Sequence, residues 1–356
     1  MTIKYLLFPF FCTLFACLVL ARLAPWLSLM DKPDARKCHG RDVPVVGGIA
    51  ILLSYVVALK LRGIGGNMVE AIPAVGLMLA IGVVDDIRPV SAKLKLALQF
   101  VAAWLLCRTT GFDLEILPLP GFSDGLALGP LASPITLLAI VAVLNAINMS
   151  DGADGLAGGY VMGGLLLFLT IALIDGREIS VLLVGGLMSA IGGFLVCNAR
   201  HPLVPRARVF MGDAGALTLG VLLCWLGIHM TRGPVPMMPK VMIFYAAALP
   251  LLDMVTVAVR RALQGVNPMR PDRTHLHHIL CLKGWSVELS VPALWCLHCL
   301  LAGSGYLLWR MGVAEGWLWV LLLGMLAVKM LCMRVWEEVE DPSRLPLAAT
   351  DDAPGS

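Results

Sequence analysis

Apolar runs of roughly 20 residues, separated by short clusters of charged and turn-forming residues, recur along almost the whole chain. Eleven can be drawn, near 3–24, 44–60, 69–85, 93–109, 131–149, 156–175, 179–198, 213–230, 239–259, 291–310 and 314–335. A helix of that length crosses the hydrocarbon core of a bilayer, so the pattern predicts an all-α polytopic integral membrane protein of about eleven transmembrane helices. The third and fourth runs are short. The first is expected to stay in place as a spanning helix, because Arg22 and Pro25-Trp26 follow it with no small-residue cleavage pattern. One transmembrane domain, 1–340, is expected, with a polar, disordered tail over 341–356.

Composition agrees: 59% of the 356 residues are hydrophobic and only 14% charged, which excludes an ordinary soluble domain. Charge sets the expected orientation. With the N-terminus outside, 19 of the 27 Lys and Arg residues fall on the inner side and 8 on the outer, as the positive-inside rule requires, and the C-terminus is cytoplasmic. The net charge of +3 lies in these loops and suits anionic lipid headgroups rather than nucleic acid. Cys296-x-x-Cys299 lies inside an apolar run and reads as packing rather than zinc or redox chemistry.

Acidic clusters stand where apolar runs end, all on the inner side. Asp85-Asp86 closes the third run at a helix C-terminus, where the dipole disfavours negative charge and adjacent carboxylates repel. The pair therefore requires a cation: Arg88, Lys93 and Lys95, or a metal. In Asn145-Ala-Ile-Asn148-Met-Ser-Asp151-Gly-Ala-Asp154-Gly, Asn145 and Asn148 share a helical face, and the oxygen-rich turn suits a hard cation such as magnesium. Asp154 could instead cap the helix opening at Leu156. Phe210-Met-Gly-Asp213-Ala-Gly presents the same choice, an N-cap or a site for phosphate at a helix N-terminus.

Two further loops carry cations. Lys32, Arg36 and Lys37 precede Gly47-Gly48; they are a positive-inside anchor, or phosphate ligands beside glycines that admit close backbone approach. Arg270-Pro-Asp-Arg273-Thr-His275-Leu-His277-His278 concentrates imidazoles and guanidiniums that fit an anionic substrate, with zinc as the alternative. Pro250 is expected to kink the ninth helix. Asp253 in that helix is a functional candidate, or is paired structurally with an asparagine or arginine.

Acid pairs, carboxamides, glycine turns, cations and imidazoles are the parts of phosphoryl transfer, and no G-x-x-x-x-G-K-[ST] loop offers an ATP site. An ion-coupled transporter is the rival class, but it would place its polar groups near the midplane. From Asp31-Lys-Pro-Asp through Pro44–Gly48, Asp85-Asp86, the Asn145–Gly155 turn and Phe210–Gly215 to Pro271-Asp-Arg-Thr-His275-Leu-His-His278, the motifs in order resemble the polyprenyl-phosphate N-acetylhexosamine-1-phosphate transferases. The histidine loop is similar to the branch acting on undecaprenyl phosphate and UDP-N-acetylglucosamine.

The resemblance implies transfer of N-acetylglucosamine-1-phosphate from UDP-N-acetylglucosamine to undecaprenyl phosphate with release of UMP, opening a cell-surface glycan pathway such as O-antigen. Another UDP-N-acetylhexosamine is the alternative donor. It implies Mg2+, with Mn2+ as a substitute, held by Asn148 and Asp213. It places Asp85 and Asp86 at the lipid phosphate and in catalysis, Asp151 and Asp154 near the nucleotide, and the loop of Arg273, His275, His277 and His278 near the sugar diphosphate. Lys32, Arg36, Lys37 and Asn145 complete the expected substrate-binding set. A multi-pass protein of the bacterial cytoplasmic membrane is implied, a homodimer as family members often are, with its site on the cytoplasmic face. A phosphate monoester is largely dianionic at pH 7, so Asp85-Asp86 is expected to organise metal, cations and incoming phosphate more than to remove a proton.

Overall fold

The computed structural model describes residues 2–31, 42–266 and 274–339. Lys32, Arg36, Lys37 and Arg273 lie outside the described residues. Helices in chain order are α1 (Thr2–Leu23), α2 (Gly47–Leu61), α3 (Ile72–Ile87), α4 (Ala92–Thr110), α5 (Ala132–Met149), α6 (Leu156–Ile174), α7 (Glu178–Asn198), α8 (Gly212–Thr231), the single turn α9 (Met242–Tyr245), α10 (Ala248–Leu263), the short α11 (Leu276–Leu282), α12 (Val287–Arg310) and α13 (Glu315–Val339). Each of the eleven apolar runs overlaps one helix of at least 15 residues, and the ninth also holds α9. Among the described residues seven helices, α1, α5, α6, α7, α8, α12 and α13, are long and apolar enough to cross a membrane, which makes this a multi-span helical membrane protein.

Helix α8 is the axis of the bundle. Within its apolar window 94% of residues are buried by protein, against 17% for α13, which faces outward. Helices α3, α5 and α2 pack against α8, α1 packs on α7 and α2, and α12 lies along α6 and α10. Local chemistry sets the helix ends. In α4 the Ser91 hydroxyl accepts the Leu94 N–H at 3.3 Å, and Gly111, at φ 65°, ends the helix in the left-handed conformation that a Cβ disfavours.

The ninth run departs from expectation. Its helix breaks at Ala246-Ala247, dividing α9 from α10, and Pro250 lies in the first turn of α10 rather than kinking a continuous helix. In the first turn the missing proline N–H costs no intrahelical bond, so the break precedes the proline.

Two close backbone approaches fix the end of the bundle where α8 begins. A Cβ on Gly82 of α3 would stand 2.3 Å from Ala214 Cα, and one on Gly48 of α2 would stand 2.2 Å from Gly215 Cα. Only hydrogen at these positions lets α2 and α3 reach the α8 backbone. The Gly47 N–H donates to the Phe210 carbonyl at 3.0 Å and the Gly48 N–H to the Met211 carbonyl at 3.1 Å. The paired glycines thus admit the protein's own backbone.

Candidate active site

The packing of α3 on α8 brings the acid pair to the start of α8, 127 residues further along the chain. The two carboxylates of that pair have different partners. Asp86 Oδ1 accepts the Asp213 N–H at 2.9 Å and Oδ2 the Ala214 N–H at 3.2 Å. Helix α8 has no side-chain cap of its own, so Asp86 caps it from α3. Asp85 accepts the Val90 N–H at 2.6 Å and is paired with Lys95 of α4. Lys95 also pairs with Asp213, so a single ammonium bridges carboxylates from α3 and α8.

The expected demand of Asp85-Asp86 for a cation is thus met in two ways. Lys95 supplies charge to Asp85, while the positive end of the α8 dipole and its free amides supply it to Asp86. Asp213 is not an N-cap, because α8 begins at Gly212 and the Asp213 side chain turns to Lys95. Asp154 does not cap α6 either. Its carboxylate accepts from Arg200 Nε at 2.7 Å and the Ala207 N–H at 3.3 Å, and the Gly155 N–H is satisfied by Asn198 Oδ1 at 2.8 Å. Arg200 reaches on to Glu288 at the start of α12.

The turn after α5 approaches the same place. Asp151 is half-buried and accepts the Gly212 N–H; burial and the charges of Asp213, Asp86 and Asp154 push its carboxyl up to about 7. Asn145 lies one turn inside α5, where its Nδ2 donates to Gln99 Oε1 at 2.6 Å and to the Val141 carbonyl at 2.8 Å. It is committed to the α4–α5 contact. Asn148 Oδ1, by contrast, is buried with no hydrogen-bond partner, and a buried amide oxygen is rarely left so.

That orphaned oxygen bears on the metal. Among the described residues no three His, Cys, Asp or Glu side chains converge as a metal centre. Mg2+ does not need them, since it characteristically takes one or two protein oxygens and completes its shell with water and substrate phosphates. The Asn148 carbonyl oxygen and the Asp213 carboxylate are hard oxygen donors of that kind.

His277 packs against the Asp151–Gly155 turn. His277 Nε2 lies 2.7 Å from where a Cβ on Gly152 would stand, and that nitrogen has no partner. Burial, with His278 and His275 beside it, lowers His277 to about 3, so the ring is neutral at pH 7. His277 and His278 rings lie 4.0 Å apart, and the His275 ring is stacked 6.1 Å from His277. His275 Nδ1 binds Asp253 at 2.8 Å. Among the described residues Asp253 is thus paired with a histidine and with Lys329 of α13, where an asparagine or arginine was the expected structural partner.

Gln99, Asn198, Arg200 and Lys329 support the site without having stood out in the sequence. Gln99 stands alone in the apolar stretch between Lys95 and Arg108, and Lys329 in that between Glu315 and Arg334; such isolation is the signal that could have found them.

The glycosyl transferase family 4 model matches residues 69–231, the stretch that holds Asp85, Asp86, Asn148 and Asp213. The chain is 31% identical over 305 residues to an undecaprenyl-phosphate alpha-N-acetylglucosaminyl 1-phosphate transferase of Salmonella typhi, covering 83% of this chain and 80% of that one. Its similarity to the enzyme of the same name from Escherichia coli strain K12 is 30% over 290 residues, covering 80% and 78%. With that of Yersinia pestis it is 29% over 335 residues, covering 89% and 88%. The chain belongs to the polyprenyl-phosphate N-acetylhexosamine-1-phosphate transferases, within glycosyl transferase family 4.

Proposed function

We propose that the protein transfers N-acetylglucosamine-1-phosphate from UDP-N-acetylglucosamine to undecaprenyl phosphate. A phosphate oxygen of the lipid attacks the sugar-bearing phosphorus, the bond to the bridging oxygen breaks, and UMP leaves with that oxygen and its electron pair. The observation that carries this reading is the meeting of Asp85, Asp86 and Lys95 with Asp213 at the N-terminus of α8, beside the Asp151 turn. Positioning and charge neutralisation dominate phosphoryl transfer, and this end of the bundle supplies both.

Asn148 and Asp213 would hold Mg2+, which would supply positive charge against the diphosphate. Lys95 is placed to meet a phosphate oxygen from the other side of Asp213. Asp86 fixes the first turn of α8 and so the direction of Asp213, while neutral His277 offers a ring nitrogen beside the Asp151–Gly155 turn. Asp154, tied to Arg200, acts on the nucleotide side mainly by holding that turn. Eleven crossings with the N-terminus outside put the site at the cytoplasmic face; the 19 inner Lys and Arg residues support this orientation.

Purified protein in vesicles containing undecaprenyl phosphate is expected to release UMP from UDP-N-acetylglucosamine when Mg2+ is added, and not without the lipid. A panel of UDP-N-acetylhexosamines measures donor choice; release of UMP from every donor except N-acetylglucosamine overturns the assignment of the sugar, and release without lipid overturns the transfer.

Because the lipid phosphate arrives largely dianionic, Asp85 is expected to position Lys95 rather than to take a proton. Asp85→Asn should therefore lower kcat about 100-fold at every pH between 6 and 9. Recovery of activity as the pH rises well above 7 identifies Asp85 as a general base instead.

A further inference from the structure

Asp253 joins three elements that are far apart in the chain. It lies in the second turn of α10 and accepts from His275 Nδ1 at 2.8 Å, from Lys329 Nζ of α13 at 2.7 Å and from the Leu276 N–H at 3.2 Å. The side chains of His275, Asp253 and Lys329 are 9%, 13% and 15% exposed, so water does little of the solvating. An aspartate in an apolar helix needs a counter-charge, and Lys329 provides one. The two remaining bonds are directional and both go to the start of α11.

His275 occupies the N-cap position of α11 and makes no side-chain cap of its own. Asp253 takes the cap's place by accepting the Leu276 amide, and it also fixes the His275 ring. A carboxylate acceptor requires the proton on Nδ1, which leaves Nε2 of a neutral ring as a lone-pair nitrogen. Two residues on, His277 is buried against Gly152. The orientation of the histidine segment toward the Asp151–Gly155 turn is thus set from behind, through a helix that otherwise faces outward.

We propose that Asp253 and Lys329 are positioning residues for the sugar-diphosphate donor, acting through His275 and the first turn of α11. This rests on the proposed function. Carboxylates that orient metal-bound histidines from behind matter by about 10- to 100-fold, and an effect at the lower end of that range is expected for a histidine that holds no metal.

The test is a double-substitution cycle on the full-length protein in vesicles, reading UMP release with KM for UDP-N-acetylglucosamine and for undecaprenyl phosphate measured separately. Asp253→Asn and His275→Ala should each raise the donor KM about ten-fold and leave the lipid KM within about two-fold. Combined, they should be no worse than about two-fold beyond His275→Ala alone, since both remove one function. Lys329→Met should show the donor defect and Lys329→Arg should restore most of it, which also covers the case in which Asp253→Asn does not fold. Multiplying effects in the double variant, or equal changes in both KM values, overturns the positioning role. An unsubstituted protein that releases no UMP from any donor overturns the proposed function itself, so the two failures are distinct.

Discussion

Asp213→Asn is expected to lower kcat by about 1000-fold while the protein still folds, because Asp213 is the one carboxylate shared by the Lys95 pair and the proposed metal shell. Folding should survive because Lys95 keeps Asp85, and Asp86 keeps the Asp213 and Ala214 amides, which are backbone groups unchanged by the substitution. The amide oxygen of asparagine is nearly isosteric but carries no charge, so the loss falls on cation binding rather than on packing. Half-maximal Mg2+ should rise steeply in the rate assay. Binding of Mn2+ to the resting protein, read by its paramagnetic resonance, should weaken in parallel. Retention of near-normal rate and Mn2+ binding removes Asp213 from the metal site.

Asn148 sharpens that outcome. Its oxygen is buried without a partner, whereas Asn145, one turn earlier on the same helix, is fully engaged with Gln99 and the Val141 carbonyl. Two asparagines that look equivalent by spacing therefore divide into a structural one and a vacant donor. Spacing puts both on one face, but the side-chain partner that separates them, Gln99, comes from α4, and nothing local encodes it.

The same limit runs through the rest of the site. The helices were legible because each apolar run needs only its own residues to reveal it, and the motifs were legible because polar residues at the ends of such runs are costly to keep. Partnerships between helices were not. Asp213 and Asp154 were reasonable caps by position, yet α8 is capped by Asp86 and the α6 turn is held by Asn198. Capping preference reads residues within a turn of the helix start, and these bonds span 127 and 43 residues. Pro250 misled for a related reason: a proline in a first turn is tolerated, and the sequence alone does not show where that turn falls.

Gly82→Ala should both destabilise the protein by about 3 kcal/mol and abolish most UMP release, because one methyl group forces apart the helices that carry the two halves of the site. The added Cβ would meet Ala214 Cα at 2.3 Å, Ala214 N at 2.4 Å and the Asp213 carbonyl carbon at 2.8 Å. All three are backbone atoms, so no side-chain rotation relieves the contact, and α3 must move away from the first turn of α8. That movement stretches the Asp86 bonds to the Asp213 and Ala214 amides and draws Asp85 away from the Lys95 bridge. Gly76, two turns earlier on α3, is the matched control: it is exposed and a Cβ there meets nothing within 4 Å. Gly76→Ala should leave the melting temperature in detergent equal to or above that of the unsubstituted protein, since alanine is the better helix former by about 1 kcal/mol. If the two substitutions lower the melting temperature alike, the fault is in α3 as a helix; if only Gly82→Ala does so and activity falls with it, the close approach of α3 to α8 is what assembles the carboxylates.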